Sequence, residues 1–189
     1  MNSYANIRGL LGIILGLGIG HLLRGIASMI ENPKRYRPYW VHLVWCLFLF
    51  LYLLHFWWWE MHLDLVNEWA FPLYFLVAIY ATVAYLACAV LVPGDLQGHE
   101  DYQQYFIARR RWFFALVIAL LLLDLVDTRV KGSLYWHLMG RRYLAREFAF
   151  VLLAALGIAF RNRRLQAVIA VLVITGEVLF LLQYLLTVG

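Results

Sequence analysis

The chain has 189 residues, of which 65% are hydrophobic and 14% charged, and its mean hydropathy is +0.75. Soluble domains run near 45–50% apolar and about 25% charged, and a water-soluble fold of this size has too much surface to hide such an excess. Soluble enzymes, disordered tails, coiled coils and nucleic-acid modules are therefore excluded, and an integral membrane protein is expected. The net charge of +5 does not point to nucleic acid. Its basic residues come in short groups at span ends (Lys34-Arg35-Arg37, Arg109-Arg110-Arg111, Arg161-Arg163-Arg164), the pattern of topology signals and anionic headgroup contacts.

A membrane helix needs about 20 apolar residues, with a range of about 17–25. Six spans are predicted, at about 5–30, 39–61, 69–92, 111–128, 144–160 and 165–188. The first is too long for a signal peptide, and no small-residue cleavage site follows it. The third opens at Pro72 and closes at Pro93-Gly94, as helix punctuation requires. The fourth is short, and the amphipathic run Glu100–Arg110 is expected to prolong it into the interface. Between the fourth and fifth, the basic stretch 129–146 has a centre too short to span and is expected to be interfacial or re-entrant. The reading is an all-α polytopic bundle with short loops and a single membrane domain.

Orientation follows from Lys and Arg near the span ends. With both termini outside, ten basic residues fall inside and six outside, and the acidic loop 60–68 also falls outside. Aromatic residues frame the second span. Trp40 and Trp58 stand eighteen residues apart, about 27 Å of helix, which suits two interfacial belts across a hydrocarbon core of about 30 Å. Cys46 and Cys88 lie in apolar stretches and read as small core residues rather than a redox pair.

Gly12, Gly16 and Gly20 repeat every four residues on the first span, with Gly9 beside them. Such a stripe lets another helix backbone approach closely. Internal packing around a central first helix is expected, with a subunit contact in a homo-oligomer as the alternative. Three-plus-three inverted repeats would suit six spans, but the halves share no evident similarity.

Ionisable residues inside spans are costly and default to functional candidates. Asp124 lies twelve residues after Trp112, and Glu177 twelve after Leu165, so both sit about 18 Å from the inner boundary. His55 lies about 22 Å up the second span. Asp127, Arg146 and Glu147 fall near the outer ends of spans four and five. Glu177 follows Gly176, which permits close approach of a neighbour, and Tyr184 is on its face. Arg24 is assigned to the inner mouth. These positions predict an outward-facing polar cavity with Glu177 and Asp124 as the titratable or coordinating pair, His55 as relay and Glu147 nearby.

His21 and His42 sit at similar depth on adjacent antiparallel helices, the minimum arrangement for axial ligation of a haem b. His55 and His62 are seven residues apart, about 10 Å along a helix, too far to share one metal ion with Glu60. Zinc-protease, nucleophile-elbow, phosphate-loop and paired-cysteine signatures are absent from the sequence, so no catalytic residue is assigned and enzymatic activity is not the expectation. An enzyme acting on lipids, through Asp124, Asp127 and His137, is a further alternative. The expected function is a transporter or channel for protons or small cations in a bacterial plasma membrane. A haem or redox module and a non-catalytic subunit of a membrane complex are the alternatives.

Overall fold

The computed structural model describes residues 3–60, 71–96 and 98–188. Among them are six helices and no strands: α1 (Ser3–Glu31), α2 (Trp40–Trp59), α3 (Phe71–Leu91), α4 (Tyr102–Val130), α5 (Ser133–Ala159) and α6 (Arg163–Val188). Four of them are long and apolar enough to cross a membrane, over Ile7–Glu31, Trp40–Trp59, Phe71–Leu91 and Arg163–Gln183. The other two, α4 and α5, have 29 and 27 residues. What lowers their hydropathy is charge, and Asp124, Asp127, Arg146 and Glu147 are all buried inside the bundle.

Local chemistry sets the helix limits. Asp101 caps α4, its carboxylate accepting from the Gln104 N–H at 2.8 Å, while the Gln104 side chain reaches back to the Glu100 N–H. This is a capping-box arrangement, and it makes the amphipathic run and the fourth span one continuous helix. Helix α5 is interrupted at Gly140, whose φ of 71° and ψ of −175° favour glycine. The stretch expected to be interfacial is thus a short helical segment, and the longer part of α5 begins beyond the break.

The central helix is α2, which packs against α1, α3, α4 and α6, whereas α1 lies to one side on α2 and α3. The expectation of a central α1 is therefore corrected, and with it the role of the glycine stripe. The buried face of α1 is Ile7, Leu11, Leu15, Gly18, Leu22, Gly25 and Met29, at steps of four and three that mark a helix–helix seam. Gly16 and Gly20 lie on the exposed face, where an added Cβ would meet nothing within 4 Å, and Gly12 touches only Trp57. Close approach is made instead by Gly25, where a Cβ would run into the Val92 side chain.

In a membrane interior every backbone group must find a partner within the protein, and the last carbonyls of a helix have none in their own helix. At the α3 end, Val90 O accepts from the Tyr105 hydroxyl at 2.9 Å, Leu91 O from His42 Nε2 at 2.8 Å and Val92 O from His21 Nε2 at 2.6 Å. Three helices therefore cap three successive carbonyls ahead of Pro93. Gln166 does the same for α5, donating to Gly157 O and Phe160 O.

Candidate functional site: a buried polar cluster

Opposite the arginine-rich end, five helices turn their polar residues to one another. Up-and-down packing places the second half of α2, the first half of α3, the end of α4, the start of α5 beyond Gly140 and the second half of α6 at one level. The residues concerned are buried: Glu147 and Glu177 at 0%, Asp127 at 2% and Asp124 at 6% exposure. Expectation and structure agree that Glu177, Asp124, His55 and Glu147 converge. They differ in that the residues interlock with one another rather than line an open cavity.

The first part of the cluster centres on Glu177 of α6. Its Oε2 accepts from Arg146 of α5 at 2.9 Å, and its Oε1 lies 2.7 Å from His55 Nδ1 of α2. Arg146 is held in an aromatic clamp, its guanidinium 4.2 Å from the Phe180 ring centre and 5.2 Å from that of Phe150. Guanidinium is weakly hydrated and stacks on aromatic faces, so this is an environment in which a buried cation is tolerated. His55 packs between the rings of Tyr52 and Trp59. The Gly176 position admits the Phe150 ring, 2.9 Å from where a Cβ would stand. The close approach expected there is therefore made by the aromatic clamp.

The second part centres on Asp124 of α4. Tyr80 of α3 donates to its Oδ1 at 2.8 Å and Tyr143 of α5 to its Oδ2 at 2.7 Å. Tyr52 of α2 extends the chain to Tyr80 at 2.5 Å, and Thr128 extends it to Tyr143 at 3.0 Å. Because the Tyr52 ring also contacts His55, the two parts adjoin.

The third part is Lys131 with Glu60 at 2.8 Å and Asp127 at 2.5 Å. Asp127 stands near the end of α4, yet its pairing with Lys131 is buried, the side chains only 2% and 3% exposed, and Arg129 lies over the Trp136 ring.

Glu147 differs from the others. Arg146 Nη1 stands 3.3 Å from Glu147 Oε1, yet neither Glu147 carboxyl oxygen has a hydrogen-bond partner among the described residues. One oxygen each of Glu60, Asp127 and Glu177 is in the same condition, Glu177 Oε1 having only the close approach of His55 Nδ1. A buried carboxyl without donors has a large desolvation penalty unless it holds a proton or a cation.

The remaining candidates lie elsewhere. Arg24 is exposed at the opposite end, on the wall of a small cavity. The His21 and His42 Nε2 atoms donate to the α3 carbonyls, so neither is the free axial nitrogen that the haem reading requires. Trp58 and Trp40 are exposed, as belt residues should be, while Trp59 is buried against His55 and Phe180. Among the described residues no group of three or more His, Cys, Asp or Glu is placed to hold a metal ion. His62 and the rest of the loop 61–70, and the side chains of His137 and Tyr184, lie outside the description.

Several members of the cluster were not singled out from sequence: Tyr52, Tyr80, Tyr143, Thr128 and the pairing roles of Glu60 and Arg146. One signal was present. Asp124, Thr128 and Lys131 follow at steps of four and three, as do Tyr52, His55 and Trp59 at steps of three and four, the spacing of one helix face. No family model, curated protein or solved structure matches the chain.

Proposed function

We propose that the protein is a membrane carrier or channel for protons or small monovalent cations, with the buried cluster as its binding and relay station. The observation that carries this reading is the charge composition of the cluster. Five carboxyls (Glu60, Asp124, Asp127, Glu147 and Glu177) are buried with only two basic side chains, Arg146 and Lys131, and one imidazole. An ensemble of that kind in a low-dielectric bundle is stable only when it also holds protons or a cation. The tyrosine chain Tyr52–Tyr80–Asp124–Tyr143 offers hydroxyls that both donate and accept, the requirement for passing a proton between neighbours.

Within this reading Glu177 is the anchor, paired with Arg146 and adjoined by His55, and Glu147 is the group that receives the transported ion. His55 adjoins both the anchor and the tyrosine chain and serves as the relay. A conduit also needs access from both sides, so opening of the cluster to water is part of the proposal.

The test is flux of protons and of sodium or potassium into proteoliposomes of the purified protein. Flux lost in both Glu177→Gln and Glu147→Gln, with folding retained, supports the assignment. Flux unchanged in both variants would reject it, as would no flux under pH, voltage and osmotic gradients.

The second reading, a subunit of a membrane complex, is favoured by one feature. Gly9, Gly16 and Gly20 are exposed along α1, which leaves a small-residue face for another helix. It predicts a stable partner after mild detergent extraction and no intrinsic flux.

A further inference from the structure

At the end of the bundle away from the carboxyl cluster lies a recess of about 140 Å³, walled by His21, Arg24, Ser28, Tyr36 and Tyr102 and by the turn Val92-Pro93-Gly94. Its polar character is of one sign. Arg24 is on the wall, no carboxylate is, and Arg24 forms no ion pair with any described residue. Asp95, beside the turn, pairs with Arg35 at 3.4 Å, and Glu31, the acid nearest Arg24 along the chain, is exposed and is not among the lining residues. The wall histidine is committed through Nε2 to Val92 O, and the Ser28 hydroxyl donates to Arg24 O at 3.0 Å. The donors left to face a guest are the Arg24 guanidinium and the hydroxyls of Tyr36 and Tyr102. Tyr102 stands at the first turn of α4, ahead of the membrane-crossing part, and burial pushes its phenol up to about 12. It therefore remains a donor throughout the neutral range.

A second recess of about 430 Å³ shares Pro93 and Gly94 with the first. Its walls are Ala89, Val90, Tyr105 and Trp112, with Arg109 at the rim. The two spaces border the same turn, and the second mixes the apolar and aromatic surfaces of Val90 and Trp112 with the polar groups of Tyr105 and Arg109. Both stand where the arginine-rich helix ends mark a bilayer boundary.

We propose that the first recess binds a phosphate group, held by Arg24, Tyr36 and Tyr102. The chemistry is that of an unpaired guanidinium with neutral hydroxyl donors around an anion. It has two possible sources, a phospholipid headgroup or a soluble phosphate. The site is independent of the carboxyl cluster and of the transport reading.

The experiment uses the full chain in a phosphate-free neutral detergent. It is titrated with three probes: a short-chain phosphatidic acid, the matching diacylglycerol without phosphate, and inorganic phosphate. Binding is read by native mass spectrometry. Phosphatidic acid is expected to bind and diacylglycerol not, with affinity falling at least about tenfold in Arg24→Gln, the loss of one charge-assisted bond. Equal affinity for inorganic phosphate would keep the site and assign its guest to the aqueous phase. Binding of diacylglycerol as tight as that of phosphatidic acid, or binding unaffected by both Arg24→Gln and Tyr36→Phe, overturns the proposal. Arg24 and Tyr36 are outside the core, so neither variant should unfold the chain, and melting curves check this.

Discussion

Arg146 reaches from α5 to Glu177 on α6 and meets its carboxylate at 2.9 Å, with both side chains buried. The pair joins two helices that follow one another in sequence, and His55 on the other side of Glu177 ties in α2. Removing one partner of a buried pair leaves an uncompensated charge, which costs about 3–5 kcal/mol. Arg146→Ala is therefore expected to be among the most damaging single substitutions, and Arg146→Lys to recover only part of the loss. Lysine lacks the planar fork that touches Glu177 and stacks between Phe150 and Phe180. Reversible unfolding in mixed detergent micelles measures this, and an Arg146→Lys variant as stable as the parent would remove the aromatic clamp from the account.

Asp124 receives one hydroxyl on each oxygen, from Tyr80 and from Tyr143. Each tyrosine-to-phenylalanine change should cost about 1–3 kcal/mol, the loss of a hydrogen bond to a charged or strongly polar acceptor. The two changes share one carboxyl, so the double variant should depart from additivity by more than about 0.5 kcal/mol. A double-mutant cycle on unfolding free energies checks both statements.

Lys131 serves two acids, Glu60 and Asp127. Lys131→Met should destabilise by several kcal/mol through the same uncompensated-charge effect, and Glu60→Gln combined with it should restore part of the loss. No rescue by the second substitution would show that the Glu60 contact contributes nothing to the penalty.

The glycines of α1 separate into two groups. Gly25→Ala places a methyl group against Val92 and forces α1 away from α3, which should cost about 1–3 kcal/mol, as overpacking does. Gly16→Ala and Gly20→Ala face open space and should be neutral or slightly stabilising, since alanine is the better helix former by about 1 kcal/mol. Thermal melts of the single variants decide this. Destabilisation of a dimer by Gly16→Ala, seen as a concentration-dependent transition, would instead mark that face as a subunit contact.

His42→Ala should expose Leu91 O to an apolar interior without a partner, a loss of about 1–3 kcal/mol, whereas His42→Gln retains a donor and should lose less. Visible spectra of the protein expressed with haem supply should show no Soret band in any form. A band that disappears in both His21→Ala and His42→Ala would return the cofactor reading to first place.

The four apolar helices were legible because membrane-spanning segments announce themselves by length and composition. The convergence of Glu177, Asp124, His55 and Glu147 was legible because equal depth on neighbouring helices leaves charged groups few places to go. Their partners were not. Lys131 and Arg146 near span ends look the same as topology charges, and only folding shows that they turn inward. Tyrosines such as Tyr52, Tyr80 and Tyr143 are as common at interfaces as in polar networks, so sequence gives no reason to aim them at Asp124. The glycine repeat misled for a related reason. A four-residue spacing identifies a smooth stripe on a helix, but which face meets a neighbour depended on Ile7, Leu11, Leu15 and Leu22, whose seam runs through Gly18 and Gly25.

The capping of α3 by Tyr105, His42 and His21 has a mechanical consequence. A slide of α3 along its axis by one residue, about 1.5 Å, would carry three adjacent carbonyls past three donors fixed on three other helices. All three bonds would be strained together. A tilt about the same point leaves each carbonyl within reach of its donor. This end of the bundle therefore behaves as a ball joint, stiff to piston motion and compliant to rocking, and the leverage of any rocking falls on the opposite end, where the carboxyls are shut in.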